Sequence, residues 1–252
     1  MKQKIKLGAV SYLNTKPLIY GFEQGRMKED IELIFDYPAN IAAFLINDRI
    51  DIGLVPVAII PLLKEHYVIA DYGIACDGEV ASVCLFSDVP LAEISSVYLD
   101  YQSRTSVELL KILLKEHWKI SPELMAGTQN FENEIKGNTA GLVIGDRAFT
   151  QRLKSKYMFD LGLAWKEMTG MPFVFAAWIS NKKLPEDFIA AFNEANSLGL
   201  NNLDEVVRQN PCPDFDMKAY YTQNIKFKLE PHMIAAIELF ISKLNRHVEA
   251  IP

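Results

Sequence analysis

The sequence has few of the residues that build common metal and disulfide sites. Its three cysteines, Cys76, Cys84 and Cys212, form no C-x-x-C pair, and an odd number cannot all pair within one chain. Its four histidines lie far apart and form no H-E-x-x-H motif. We therefore predict no metal site, and we interpret the cysteines as small apolar side chains in a reducing compartment.

Several functional motifs and segments are also absent. The sequence contains no G-x-G-x-x-G, G-x-x-x-x-G-K-[ST] or G-x-S-x-G motif, and its lysines and arginines are scattered over a chain of net charge −6. No apolar run approaches the ~18 residues of a membrane helix, and the amino-terminal MKQKIKLGAV lacks the features of a signal peptide. We predict a cytoplasmic protein that uses no cofactor and binds neither nucleic acid nor membranes.

Strand and helix patterns alternate in the first third of the chain. KIKLGAV, IELIFDY and DIGLVPV are typical of strands, and TKPLIYGFEQG and ANIAAFLIND of helices. Half of the 252 residues are apolar, which is enough for a large core. The alternation predicts an α/β fold with a parallel sheet.

The same order of elements begins again with SSVYLDY, SRTSVELLKILLKEHW and AGLVIGD. Gly-Leu-Val occurs at residues 53–55 and again at 141–143. This repetition predicts two related lobes, the first made of residues 1–87 and 177–252 and the second of residues 88–176. We expect two apolar strands near 80–87 and 173–180 to run side by side as a hinge, with the ligand in the cleft between the lobes. The segment after Asn181 is predicted to be helical and structural.

The segment VSYLNTKPL carries more polar residues than one helix cap requires. Asn14 or Thr15 could accept a backbone hydrogen bond as a cap, and Pro17 suits a first helical turn. The segment directly follows the first strand, and in open α/β folds ligands bind at that edge of the sheet. We therefore expect Ser11 and Asn14 to face the cleft.

A second polar helix start occurs at Ser103, Arg104, Thr105 and Ser106. Ser103 is the natural cap, but one cap does not require all four residues. Hydroxyl groups, backbone N–H groups and a guanidinium at the positive end of a helix dipole predict a carboxylate or phosphate site. The alternative for Arg104 is a position in solvent, paired with an acid.

Two single residues are further candidates. Ser82 interrupts an apolar strand, where it is either a small filler or a ligand contact in the cleft. Asp146 follows the second Gly-Leu-Val strand, where it either caps the helix DRAFTQRL or contacts the ligand.

Five segments together resemble the MqnA family, the chorismate dehydratases of the futalosine route to menaquinone. They are VSYLNTKPL, ACDGEVASVCLFSDVPL, YLDYQSRTSVELLKILL, AGLVIGDRA and DLGLAWKEMTGMPFVFAAW, and the resemblance runs from about Leu7 to Trp178. It implies a two-lobed periplasmic-binding-protein-like (type II) fold that dehydrates chorismate to 3-[(1-carboxyvinyl)oxy]benzoate. By this resemblance the Ser103–Ser106 segment holds one carboxylate, whereas Ser11 and Asn14 contact the other end of chorismate or its leaving hydroxyl.

Two other functions fit the same pattern. A solute receptor for a small dicarboxylate or aromatic acid would have the same two lobes, but it would need a signal sequence or lipid anchor. A related enzyme acting on a nucleoside-bearing intermediate would need a larger cleft. A small-molecule substrate is expected in each case, and no oligomeric state is predicted.

Overall fold

The computed structural model describes residues 4–249, and within them the chain forms one sheet of six strands and one of five. The strands are β1 (Ile5–Val10), β2 (Ile31–Asp36), β3 (Ile52–Pro56), β4 (Tyr67–Cys76), β5 (Val83–Ser87), β6 (Ser96–Leu99), β7 (Glu123–Ala126), β8 (Thr139–Ile144), β9 (Tyr157–Asp160), β10 (Phe173–Ser180) and β11 (Lys226–Lys228). The helices are α1 (Lys16–Glu23), α2 (Pro38–Ile46), α3 (Thr105–Ile112), α4 (Asp146–Arg152), α5 (Leu161–Thr169), α6 (Glu186–Leu200), α7 (Leu203–Gln209), α8 (Met217–Ala219) and α9 (Pro231–Glu249).

The two sheets share one topology. The first has the strand order β11-β4-β10-β3-β1-β2 and the second β7-β6-β8-β5-β9. In the first sheet β1 lies parallel between β2 and β3, and β6 lies likewise between β7 and β8 in the second. An antiparallel strand follows in each, β10 beside β3 and β5 beside β8. The predicted repeat is therefore confirmed, and both Gly-Leu-Val segments occupy the same position in their sheets.

The predicted pairing of the two crossing strands is wrong. β5 pairs with β8 and β9 in the second sheet, and β10 pairs with β3 and β4 in the first. Each strand thus has a neighbour on both sides that satisfies its backbone groups, and neither has an edge left for the other. The lobe boundaries and the hinge stay predictions, and sheet membership places β5 with the second lobe and β10 with the first.

Helix α1 packs against α6 through two glycines. A Cβ atom at Gly21 would lie 2.1 Å from the carbonyl oxygen of Ala195, and one at Gly199 would lie 1.9 Å from that of Pro17. Only glycine permits such a close approach of two helix backbones. Because α1 directly follows the polar residues after β1, this packing also sets their position.

The C-terminal part of the chain contributes more than helices. β11 adds a strand to the first sheet beside β4. A π-helical turn, Tyr220–Asn224, separates α8 from β11 and carries two buried tyrosines. The predicted C-terminal helix is α9, the longest helix among the described residues. Among residues 4–249, no helix combines the length and apolarity needed to cross a membrane.

Candidate active site

A cavity lies between the two sheets, at the carboxyl ends of β1, β3 and β8. Its empty space, open mouth included, is about 590 Å³, within the range of about 300–1,000 Å³ that is common for small-molecule sites. The apolar part of its wall consists of Val10, Pro38, Leu54, Pro56, Ile74, Val80, Val83, Ile144, Phe175 and Ala176. The remaining lining residues are Tyr12, Asn14, Thr15, Ser82, Ser103, Thr105, Ser106 and Gly145.

The cavity wall is uncharged. Over the described residues, no Asp, Glu, His, Lys or Arg lines it. Tyr12 is its one weakly acidic side chain in the described structure, and burial is the main cause that raises the pKa of this phenol well above its usual value. The wall therefore offers hydrogen-bond donors and acceptors but no strong base at neutral pH.

The start of α3 provides hydroxyl groups at one end of the cavity. The Ser103 Oγ accepts a hydrogen bond from the Ser106 N–H at 3.1 Å, so Ser103 caps a backbone N–H of the first turn as predicted, although Arg104 is the residue that directly precedes α3. The Thr105 Oγ1 accepts one from the Ala58 N–H at 3.2 Å. Because both oxygens accept from the backbone, their own O–H groups can donate to a ligand. Together with the helix dipole they suit an anion.

Ser11 and Arg104 do not contribute to the cavity. Both are exposed, and neither is among the lining residues. Ser11 lies between the end of β1 and the turn that brings Asn14 to the wall. Arg104 precedes Thr105, whose side chain is buried at the start of α3, so that the two neighbouring residues point in different directions. Both residues are thus exposed in this structure, and their contacts with a ligand stay predictions.

Asn14 and Thr15 line the cavity and do not cap α1. The residue that precedes α1 is Thr15, and its side chain makes no capping hydrogen bond. The Asn14 Oδ1 instead accepts a hydrogen bond from the Thr15 Oγ1 at 3.3 Å. Both residues lie in Leu13–Thr15, a 3₁₀ helix of one turn. Pro17 lies in the first turn of α1, as predicted. The capping interpretation of this segment is therefore wrong, and the Asn14 amide is not used by the backbone of α1.

Asp146 is not the cap residue of α4, and its contact with the ligand stays a prediction. It lies outside the cavity wall, and Gly145 rather than Asp146 precedes α4 as its cap residue. The Asp146 Oδ1 accepts a hydrogen bond from the Leu13 N–H at 3.0 Å, so that α4 of the second lobe holds the turn that carries Asn14. Burial raises the pKa of this carboxyl group.

Ser82 also lies in the cavity wall. It is 1% exposed, and its Oγ accepts a hydrogen bond of 2.7 Å from the phenol of Tyr220. The Asn14 side chain is a second hydrogen-bonding neighbour of that phenol. The structure therefore brings two predicted site residues that are distant in the sequence to one hydroxyl group.

The sequence matches the family described as menaquinone biosynthesis over residues 5–246. This chain belongs to that family. A chorismate dehydratase from Thermus thermophilus is 28% identical over 225 residues, which cover 79% of this chain and 79% of the relative. A chorismate dehydratase from Campylobacter jejuni is 24% identical over 243 residues, which cover 93% and 95%.

Solved structures show the fold of this menaquinone-biosynthesis family member. Protein AF1704 from Archaeoglobus fulgidus superposes with a TM-score of 0.76 at 17% identity, covering 98% of this chain and 97% of that one. The periplasmic aliphatic sulphonate binding protein SsuA from Escherichia coli superposes with a TM-score of 0.62 at 13% identity, covering 100% and 95%. The predicted periplasmic-binding-protein-like fold is confirmed.

Sequence reasoning missed three tyrosines of this family member. Tyr12 lines the cavity and donates a hydrogen bond to Gln102, which links the segment after β1 to the segment after β6. Tyr220 contacts Ser82, and the Tyr221 hydroxyl donates to the Leu13 carbonyl oxygen at 2.8 Å. No motif marks Tyr220 and Tyr221, because they lie in a segment whose apolar pattern indicates only packing.

Proposed function

We propose that this protein is a chorismate dehydratase, which converts chorismate into 3-[(1-carboxyvinyl)oxy]benzoate with loss of one water. Family membership and two relatives of that name support the proposal. The observation that carries it is the uncharged cavity wall, which combines hydroxyl donors at a helix start with apolar surface. This combination suits a ring that bears carboxylates.

The start of α3 is proposed to bind one carboxylate of chorismate. The O–H groups of Ser103 and Thr105 can donate to it, since their oxygens already accept from backbone N–H groups. The positive end of the helix dipole favours the same charge. Apolar residues of both sheets, among them Leu54 of β3 and Ile144 of β8, provide surface for the ring.

Asn14 and Ser82 are proposed to act on the leaving hydroxyl. Dehydration removes the ring hydroxyl and a neighbouring ring proton as one water, and the aromatic product supplies the driving force. The protein then has to orient the ring and assist proton transfer. Asn14 is neutral and cannot serve as a base, so we assign it a hydrogen bond to the leaving hydroxyl or to developing charge. The Ser82 hydroxyl, which also lines the cavity, is proposed as a second hydrogen-bonding group for the leaving hydroxyl.

The proton acceptor in this proposal is a carboxylate of the substrate. No described lining residue is a carboxylate, an imidazole or an amine. The nearby carboxyl group of Asp146 lies outside the wall and accepts from the Leu13 N–H. A substrate carboxylate held beside the ring can accept the neighbouring ring proton without any protein base.

The test is to incubate purified protein with chorismate, without added metal or cofactor, and to follow products by chromatography and mass spectrometry. We expect loss of one water and formation of the enolpyruvyl benzoate, faster than in a sample without protein. Tight binding of unchanged chorismate would contradict dehydration and favour a non-catalytic binding protein. If the protein neither binds nor converts chorismate, the result would contradict the proposal and indicate another substrate of the menaquinone route.

A further inference from the structure

Two adjacent tyrosines of the C-terminal segment lie behind the cavity wall. Tyr220 and Tyr221 begin the π-helical turn Tyr220–Asn224 and are 0% and 2% exposed. Neither is among the residues that line the cavity in the described structure. Single π-helical turns are rare and occur often at functional sites.

The Tyr220 hydroxyl lies between the two polar residues of one cavity wall. It donates to the Ser82 Oγ at 2.7 Å, and the Asn14 side chain is its other hydrogen-bonding neighbour. A serine hydroxyl rotates freely unless a partner fixes it. Because the Ser82 oxygen accepts from Tyr220, its own proton has to point away from Tyr220. Burial also raises the pKa of the Tyr220 phenol, so that this group stays a donor at neutral pH.

Tyr221 acts on the backbone that carries Asn14. Its hydroxyl donates to the Leu13 carbonyl oxygen at 2.8 Å, and this carbonyl belongs to the peptide group that joins Leu13 to Asn14. On its other side, the Leu13 N–H donates to Asp146 at 3.0 Å. Both polar backbone groups of Leu13 therefore have a side-chain partner from a distant part of the sequence.

Aromatic packing holds Tyr220 in place. Its ring meets Phe149 of α4 edge-on, with 5.0 Å between ring centroids, and also meets Phe215 at 6.1 Å. Phe149 and Phe215 stack on each other at 4.6 Å. The ring position therefore depends on packing, and the hydroxyl group adds a hydrogen bond to Ser82 from a fixed place.

We propose that Tyr220 and Tyr221 are positioning residues for dehydration, which fix the geometry of Ser82 and Asn14 without touching the substrate. This inference rests on the proposed function, because it assumes that Ser82 and Asn14 act on chorismate. Loss of either tyrosine hydroxyl then affects the reaction step more than substrate binding, since a misplacement of about 1 Å can cost about 100-fold in rate.

The test compares Tyr220→Phe and Tyr221→Phe with the wild type and with Tyr98→Phe. Tyr98 is half-buried in the second lobe, where its ring packs against Phe131, and it does not line the cavity. We expect each of the first two variants to lower kcat by about 10-fold to 100-fold, with KM for chorismate changed by less than about 3-fold. Tyr98→Phe should retain the wild-type kcat.

A double-mutant cycle separates positioning from general packing. If Tyr220 acts through Ser82, then Tyr220→Phe should slow the wild type but not the Ser82→Ala variant. The same holds for Tyr221→Phe in the Asn14→Ala variant. Rates are compared at a temperature at which circular dichroism shows every variant to be folded.

The outcomes distinguish this inference from the proposed function. Turnover by the wild type together with unchanged kcat in both tyrosine variants would overturn the inference alone. Additive losses in the cycles would overturn it as well, since they would show that the tyrosines act independently of Ser82 and Asn14. Absence of turnover in the wild type would overturn the proposed function and this inference with it.

Discussion

Replacement of Asn14 tests the proposed chemistry most directly. Asn14 lines the cavity, and neither its amide nor Thr15 is used to cap α1. Asn14→Ala should therefore remove a hydrogen bond that forms mainly as the hydroxyl leaves. Loss of one such donor costs about 100-fold to 1,000-fold in kcat, or about 2.7–4 kcal/mol.

The fold should tolerate this substitution. The Asn14 Oδ1 accepts from the Thr15 Oγ1 at 3.3 Å, which is long for a hydroxyl donor, and the side chain also neighbours the buried Tyr220 phenol, which keeps its hydrogen bond to Ser82. Loss of the Asn14 contacts should lower the free energy of unfolding by about 1–2 kcal/mol. The proposed carboxylate site at the start of α3 is formed by other residues, so the Kd for chorismate should change little.

The assay measures kcat by steady-state kinetics and Kd by equilibrium binding, with the exposed Asn133→Ala as a matched control. Asn14→Asp serves as a second variant, because it keeps the side-chain shape but replaces the amide donor with a negative charge. We expect Asn14→Asp to be at least as slow as Asn14→Ala. Equal losses in turnover and in binding for Asn14→Ala, or full activity of Asn14→Asp, would refute the reasoning.

Three further predictions follow from other contacts. Thr105→Val, measured in the inactive Asn14→Ala background, should raise the Kd for chorismate by about 10-fold to 100-fold, because a carboxylate loses a hydroxyl donor. Asn196→Ala should lower the free energy of unfolding in urea by about 2–3 kcal/mol, since the buried Trp178 N–H donates to Asn196 at 2.7 Å. The kcat should stay constant from about pH 5 to pH 9, because a substrate carboxylate is ionised over that range, and burial keeps the pKa of Tyr12 above it.

Each of these predictions has a control or a contradicting result. Thr128→Val on the surface should leave the Kd unchanged, and Asn201→Ala on the surface should leave stability unchanged. An unaltered Kd for Thr105→Val would contradict binding of the carboxylate at the start of α3. A stable Asn196→Ala variant would mean that another group takes the indole N–H. A pH profile of kcat with a limb near 6.5 would indicate a histidine base and contradict proton transfer to the substrate.

The sequence predicted the features that depend on residues close together in the chain, such as strands, helices and caps. The alternation of patterns located the strands of the first lobe, and the Gly-Leu-Val segments marked equivalent strands in two sheets, because periodicity depends on which face of an element is buried. Ser103 was identified as a cap from residue type alone. The strands that pair with β5 and with β10 could not be predicted in this way, since the apolar residues of a buried strand do not specify which strands lie beside it.

Functional contacts between distant segments were missed for a related reason. Asp146 has the sequence context of a cap residue, but its carboxylate accepts from the Leu13 N–H of the other lobe. Tyr220 has the sequence context of a core residue, but its hydroxyl reaches Ser82. In both cases the residue type is compatible with a local role, and only the packing of the chain determines the partner.

The uncharged wall also explains how a fold that is common among binding proteins can support an elimination. Binding proteins of this fold hold a ligand between two lobes, and a fold alone does not define a function. A substrate that brings its own carboxylate base, and whose product is aromatic, requires only orientation and hydrogen bonds at the leaving group. The described wall offers groups for both, the hydroxyl groups at α3 and the side chains of Asn14 and Ser82. Addition of a protein base would therefore be unnecessary for the proposed reaction, whereas displacement of Asn14 would be costly.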